Sequence, residues 1–161
     1  DRLYLTEDLH PWAVNLTARE IGRRKVRVGD SGLAAWLCGA SVGLLKDVVR
    51  GGKVFGALLE GFVVGELSAQ AGWAEVDYRL YHYRDRRGLE VDVIIELGDG
   101  RVIAVEVKSA AGLTGRHFAG LTDLKRKLGD RLAAGVVLAP VDEPMRYAEG
   151  LWGLPLNTLW E

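Results

Sequence analysis

Residues Tyr81–Ser109 read YHYRDRRGLEVDVIIELGDGRVIAVEVKS. Two runs, Leu89–Leu97 and Arg101–Lys108, flank the turn Gly98-Asp99-Gly100. In both runs β-branched residues alternate with charged ones, as in half-buried strands. An odd, three-residue loop pairs Leu97 with Arg101, and counting back sets Asp92 opposite Glu106 and Glu90 opposite Lys108. Those four side chains then share one face. Val91, Val93 and Ile95 share the other with Val105 and Val107. A two-residue loop would put Asp92 against Val105 and split the acidic set, because a one-residue slip reverses every side chain. Three-residue loops with Gly in the left-handed position are a common hairpin type, so the odd loop is expected, unless a bulge alters the count.

Like charges directly across a strand pair destabilise a sheet, so Asp92 opposite Glu106 needs a reason. A hard cation is one: Mg²⁺ is held by one or two carboxylates together with water and substrate phosphate. Lys108 lies two residues beyond Glu106 and projects to the same side, where it can neutralise developing charge or orient an attacking water. Asp92, Glu106 and Lys108 on adjacent strands therefore suit a phosphodiesterase. The alternative is a solvated face with Lys108 paired to Glu90 or Glu106.

The 161 residues suit one domain with a sizeable core. Nearly half are apolar and the net charge is −1, which excludes a disordered chain and gives no global electrostatic pull on nucleic acid. Cys38, the only cysteine, excludes a disulfide framework and a cysteine-based zinc site. No run is long enough to span a membrane and no signal peptide is visible, so a cytoplasmic protein is expected. The chain starts at Asp1 and its only methionine is Met145, which suggests a fragment or a processed chain.

Around the hairpin, Leu3–Leu5 and Lys25–Val28 read as short strands, and Arg19, Arg23, Arg24, Lys25 and Arg27 form a basic cluster, either a phosphate contact or a solvated connector. Asp30 and Ser31 open a helix bearing Leu33, Trp36 and Leu37, with Gly39 at its end. A second helical piece spans Ser41 to about Val49, and Gly51-Gly52 reads as a hinge. A long helix runs from Lys53 to about Gln70. On it Glu60 shares a stripe with Gly56, Val63 and Leu67, beside the apolar face. Val76–Tyr83 reads as a strand with a structural His82, and Arg84–Gly88 as a charged turn. Arg116–Leu128 is an amphipathic helix, Leu132–Ala139 a strand covered on both faces, Pro140–Glu149 a loop, and Leu151–Leu156 a last strand, with Leu159 and Trp160 docking the C-terminus. Gly51-Gly52-Lys53-Val54 lacks the spacing of a P-loop, so no ATP site is expected. Residues 1–50 read as a connecting segment with a short helix and 51–161 as the main domain, the two forming one compact unit.

The order αβββαβ from Lys53, a mixed α/β arrangement with helices on both faces of the sheet, carries Asp92 on the second strand and Glu106-Val107-Lys108 on the third. In this it resembles the restriction-endonuclease-like, or PD-(D/E)xK, fold. The resemblance implies Mg²⁺ (or Mn²⁺) held by Asp92 and Glu106, with the Val107 carbonyl and Glu60 of the first core helix as further ligands, and Lys108 assisting the water. Val91 stands where the family name has Pro, and Arg116–Leu128 lacks the Gln-x-x-x-Tyr motif of some subfamilies. A closer resemblance runs through Asp30–Leu37, Gly56–Val63, Tyr83-Arg84, Gly88–Asp92, Val105–Ser109 and Leu154-Pro155-Leu156 with Leu159-Trp160. These blocks look like the domain of unknown function that follows an AAA-type P-loop ATPase domain in many bacterial and archaeal proteins.

The implied function is a Mg²⁺-dependent nuclease, or nuclease-like DNA-acting module, of a prokaryotic ATPase, with catalytic residues Glu60, Asp92, Glu106 and Lys108. DNA is the expected substrate, RNA stays open, and the ATPase domain is the expected partner. The alternatives are a catalytically silent module that binds nucleic acid or protein and regulates the ATPase, and an assembly domain using Trp73, Trp152 and Trp160.

Overall fold

The structure is a computed structural model that describes residues 5–13 and 23–160. Leu3 of the expected first strand and Arg19 of the basic cluster lie outside those residues. In chain order the elements are β1 (Thr6–Pro11), β2 (Lys25–Val28), α1 (Ser31–Leu37), α2 (Val42–Lys46), α3 (Val48–Gln70), β3 (Tyr78–Arg84), β4 (Glu90–Leu97), β5 (Val102–Val107), α4 (Ala119–Leu128), β6 (Leu132–Ala139), β7 (Met145–Ala148) and β8 (Leu151–Pro155). The described strands form one eight-stranded sheet in the order β2-β1-β3-β4-β5-β6-β8-β7. The β3–β4–β5 meander is antiparallel; β5, β6 and β8 run parallel, and β1 lies parallel to β3. Parallel neighbours need a crossover, which α4 provides between β5 and β6.

The two faces of the sheet carry separate cores. On one, Phe118, Leu121 and Leu124, at and along the start of α4, pack on Ile94, Val102, Ala104, Val137 and Leu151. On the other, Leu59, Val63, Val64 and Leu67 of α3 pack on Val93, Val105, Val107 and Leu138. A strand covered on both sides needs apolar residues at successive positions, as in the LAAGVVLA run of β6. Among the described residues no helix is long and apolar enough to cross a membrane.

The expected hairpin register holds. β4 and β5 pair Val93 with Val105 and Glu96 with Val102. The Leu97 N–H donates to the Arg101 carbonyl at 2.9 Å, and Gly100 sits at φ +82° to close the three-residue loop.

One expectation on this hairpin is corrected. Val91 does not share a face with Val93: Val91 joins the α4-side core and Val93 the α3-side core. The other partner of β4 explains why. β3 pairs Tyr81 with Ile94 but Tyr83 with Val91, so Asp92 and Val93 together oppose His82. This two-against-one bulge bends the strand at Asp92 and re-aims the side chains on either side of it.

Two further expectations give way. Gly51-Gly52 is not a hinge but the second turn of α3, which begins at Val48 behind an Asp47 cap that accepts from the Val49 and Arg50 N–H groups. Glycine is there for proximity: a Cβ on Gly51 would lie 1.9 Å from the Leu44 carbonyl oxygen of α2, whereas one on Gly52 would meet nothing within 4 Å. Second, Pro140–Glu149 is not all loop, since β7 lies within it and pairs antiparallel with β8. Every residue of β7 is exposed, so it lacks the apolar alternation that marks a strand in sequence. The N-terminal segment contributes β1 and β2 to the same sheet.

The paired glycines give a direct check. Gly51→Ala should destabilise the protein by about 1–3 kcal/mol through overpacking against backbone. Gly52→Ala should stabilise it by about 0.5–1 kcal/mol by removing a helix-interior glycine. Urea midpoints at unchanged slope would register the two opposite shifts.

Candidate functional site

The site lies where β4 and β5 meet, at the end of the pair away from the Gly98–Gly100 turn. Asp92 sits in the β4 bulge, and its Oδ2 accepts the Val107 N–H at 2.9 Å. Glu106 is the next-to-last residue of β5. Lys108, just past the strand, keeps the ladder going by donating its N–H to the Leu138 carbonyl at 2.9 Å, and its Nζ lies 2.5 Å from Glu106 Oε1. Val107 turns its side chain into the α3-side core while its N–H serves Asp92. Glu60 comes in from α3.

Sequence reasoning missed the centre of this cluster. Lys25, the first residue of β2, places its Nζ 3.0 Å from Glu60 Oε1, 2.6 Å from Glu90 Oε1 and 3.9 Å from Asp92 Oδ1. It arrives through two pairings, β2 with β1 (Lys25 opposite Leu9) and β1 with β3 (Pro11 opposite His82). No local pattern around Lys25 signals this; only the non-local β1–β3 pairing does.

The charges are unequal in their environments. Burial, then the neighbouring Glu106 and Glu60 carboxylates, push Asp92 up to about 7, against the Val107 N–H and the Lys108 ammonium. Burial also raises Glu106, and the hydrogen bond and charge of Lys108 oppose it without cancelling it. Burial alone would raise Glu90 and lower Lys25. The Lys25–Glu90 hydrogen bond and the surrounding charges together outweigh burial, so Glu90, with Arg84 and His82 adding to Lys25, is lowered and Lys25, with Glu60 adding to Glu90, is raised. The result is a firmly charged Lys25–Glu90 pair beside a reluctant Asp92–Glu106 pair.

A divalent cation can be tested against this donor set. Among the described residues, no group of three or more His, Cys, Asp or Glu side chains is placed to hold a metal by itself. Mg²⁺ does not require one, since it takes one or two carboxylates and completes its shell with water and phosphate. Among the described residues Glu106 Oε2 is buried with no partner at full hydrogen-bond geometry, although the Asp92 backbone N–H draws on the carboxylate; such an ion would satisfy it. The residues present fit a hard, oxygen-bound cation held by Asp92 and Glu106.

The family profile described as Domain of unknown function (DUF4143) matches residues 55–159, more than half of the chain. The match contains Glu60, Asp92, Glu106 and Lys108 and begins after Lys25. No curated protein matches the chain by sequence. A chain in the refined half-complex from the tetradecameric assembly of Thermococcus gammatolerans McrB AAA+ hexamers with bound McrC is similar at 12% identity, with a TM-score of 0.41 over 62% of this chain and 27% of that one. This chain thus spans about a quarter of that relative's length.

The raised Asp92 has a consequence for stability. Its folded pKa exceeds the unfolded value of 3.8, so between about 4 and 7 the folded state holds the extra proton. The stabilisation is therefore full at the acid end and is lost as pH rises towards 7, by at most about 1.4 kcal/mol per pH unit. Asp92→Asn should flatten this fall in a series of denaturant midpoints taken across that window.

Proposed function

The chain belongs to the DUF4143 family of domains of unknown function, and we propose that it is a Mg²⁺- or Mn²⁺-dependent phosphodiesterase acting on DNA. In this reading its sheet and flanking helices are a restriction-endonuclease-like core that serves an AAA-type ATPase. One observation carries the reading: Asp92 and Glu106 approach on neighbouring strands, partly buried and mutually repelling, with Lys108 Nζ 2.5 Å from Glu106. A sheet gains nothing in stability from opposed carboxylates, so the arrangement makes sense as chemistry.

Asp92, Glu106 and the Val107 carbonyl would hold the cation, with Glu60, whose charge reaches both carboxylates, as a further ligand. When bound, the ion supplies a Lewis acid that polarises the phosphodiester and lowers the pKa of water. The chain does the rest. The Val107 N–H fixes the Asp92 carboxylate through Oδ2. Lys108, anchored by its N–H on Leu138, holds an ammonium at the rim of the site, where it orients the attacking water and stabilises negative charge at the attacked phosphate. Lys25 balances Glu60 and Glu90, which limits repulsion towards an incoming phosphate.

The assay is incubation with single-stranded, duplex and branched DNA in Mg²⁺ and Mn²⁺, beside Glu106→Ala and Lys108→Ala. The reading predicts cleavage that falls roughly 10²–10⁴-fold in each variant, with circular dichroism unchanged. Binding without cleavage, by the domain alone and by the full-length protein with ATP, would instead make this a silent nucleic-acid-binding module.

A further inference from the structure

A cleft of about 550 Å³, a size common for ligand sites, opens beside Lys25 and Glu90. Its walls come from two segments far apart in sequence: Arg23, Arg24 and Lys25 at the start of β2, and Arg84 and Arg86 at the β3–β4 turn. The β1–β3 pairing brings them together, and buried His82 fastens them: its Nε2 donates to the Arg23 carbonyl at 3.1 Å.

The charge balance of this cleft is positive. Its two acidic residues are already neutralised, Glu90 by Lys25 at 2.6 Å and Asp85 by Lys127 at 2.8 Å and Arg87 at 3.4 Å. Arg24 pairs with Asp8 at 3.2 Å with both side chains exposed, a pair that a phosphate can readily replace. Arg23, Arg84 and Arg86 are exposed and form no ion pair among the described residues. Arg84 faces Glu90 across β3–β4 and its charge helps to hold that carboxylate low, but Glu90 is already bonded to Lys25. With Arg23 and Arg86 it presents three guanidinium groups around a concave surface, which suit a ligand with several phosphates, since the planar donor fork of Arg matches a phosphate oxygen pair.

We infer that this cleft binds the sugar-phosphate backbone of a nucleic-acid strand and leads it to Asp92 and Glu106. The inference rests on the nuclease reading of the neighbouring carboxylates for its direction, and on the arginines alone for binding. The strand enters past Arg84 and Arg86, passes Arg23 and Arg24, and meets the carboxylate site at Lys25, which lines the cleft and lies 3.9 Å from Asp92 Oδ1. Backbone contacts of this kind position a strand without reading its sequence.

The test is fluorescence anisotropy with a labelled mixed-sequence DNA strand in EDTA, across a salt series. Arg84→Ala/Arg86→Ala and Arg23→Ala/Arg24→Ala are compared with wild type and with Arg101→Ala at the opposite end of the hairpin. Each double variant should bind roughly tenfold more weakly, and its slope of log affinity against log salt should be shallower by about 1.4, roughly 0.7 per lost contact with a single strand. Arg101→Ala should match wild type. Wild type that binds no strand at low salt, or double variants indistinguishable from Arg101→Ala, would overturn the cleft. Arginine-dependent binding in EDTA, with no cleavage in Mg²⁺ or Mn²⁺ by the domain alone or by the full-length protein with ATP, keeps the cleft and removes the nuclease reading; metal-dependent cleavage indifferent to the arginines does the reverse.

Discussion

Asp92 and Glu106 repel each other across the β4–β5 pair, and the surrounding structure is arranged to contain that repulsion. Lys108 holds Glu106 from the end of β5, the Val107 N–H holds Asp92, and Lys25 reaches in from β2 to Glu60 and Glu90. None of these ties is strong singly. Together they allow four carboxylates to converge beside an apolar core, where an unpaired charge would be costly. Asp92 still stays well above the ordinary carboxylate range, so the containment is incomplete, as expected of a site that a further cation would finish.

The sheet and the site depend on each other through the β4 bulge. Without an extra residue opposite His82, Val91 would lie on the α3 side with Val93. The α4-side core would then lose a fully buried valine against which Gly120 packs closely. The bulge lets β4 feed both cores and leaves Asp92 at the bend. His82, the residue opposite, turns inward and anchors Arg23, so one irregularity fixes both the carboxylate site and the strand that delivers Lys25.

Much of this was legible in the residues. The odd Gly98–Gly100 loop and the alternation on either side of it set the register, because both signals are local. The apolar run of β6 and the stripes of α3 and α4 follow from burial on one or both sides. What escaped was non-local or lacked an apolar signature. The bulge is a property of the β3 pairing. Lys25 reaches the site only because β1 runs parallel to β3. Gly51 looked like a break because its role is to admit the Leu44 carbonyl, and β7 is exposed at the sheet edge. Glu60, Asp92, Glu106 and Lys108 could be chosen from spacing and resemblance, but their neutralising partner could not.

The central claim is that Asp92 and Glu106 form a divalent-cation site in balance with the two lysines. Mn²⁺ titration followed by electron paramagnetic resonance tests it without reference to any substrate. The account predicts one bound ion in the wild type, lost in Asp92→Asn and in Glu106→Gln, while both variants keep their fold by circular dichroism. No bound Mn²⁺, or binding that both variants retain, would contradict it.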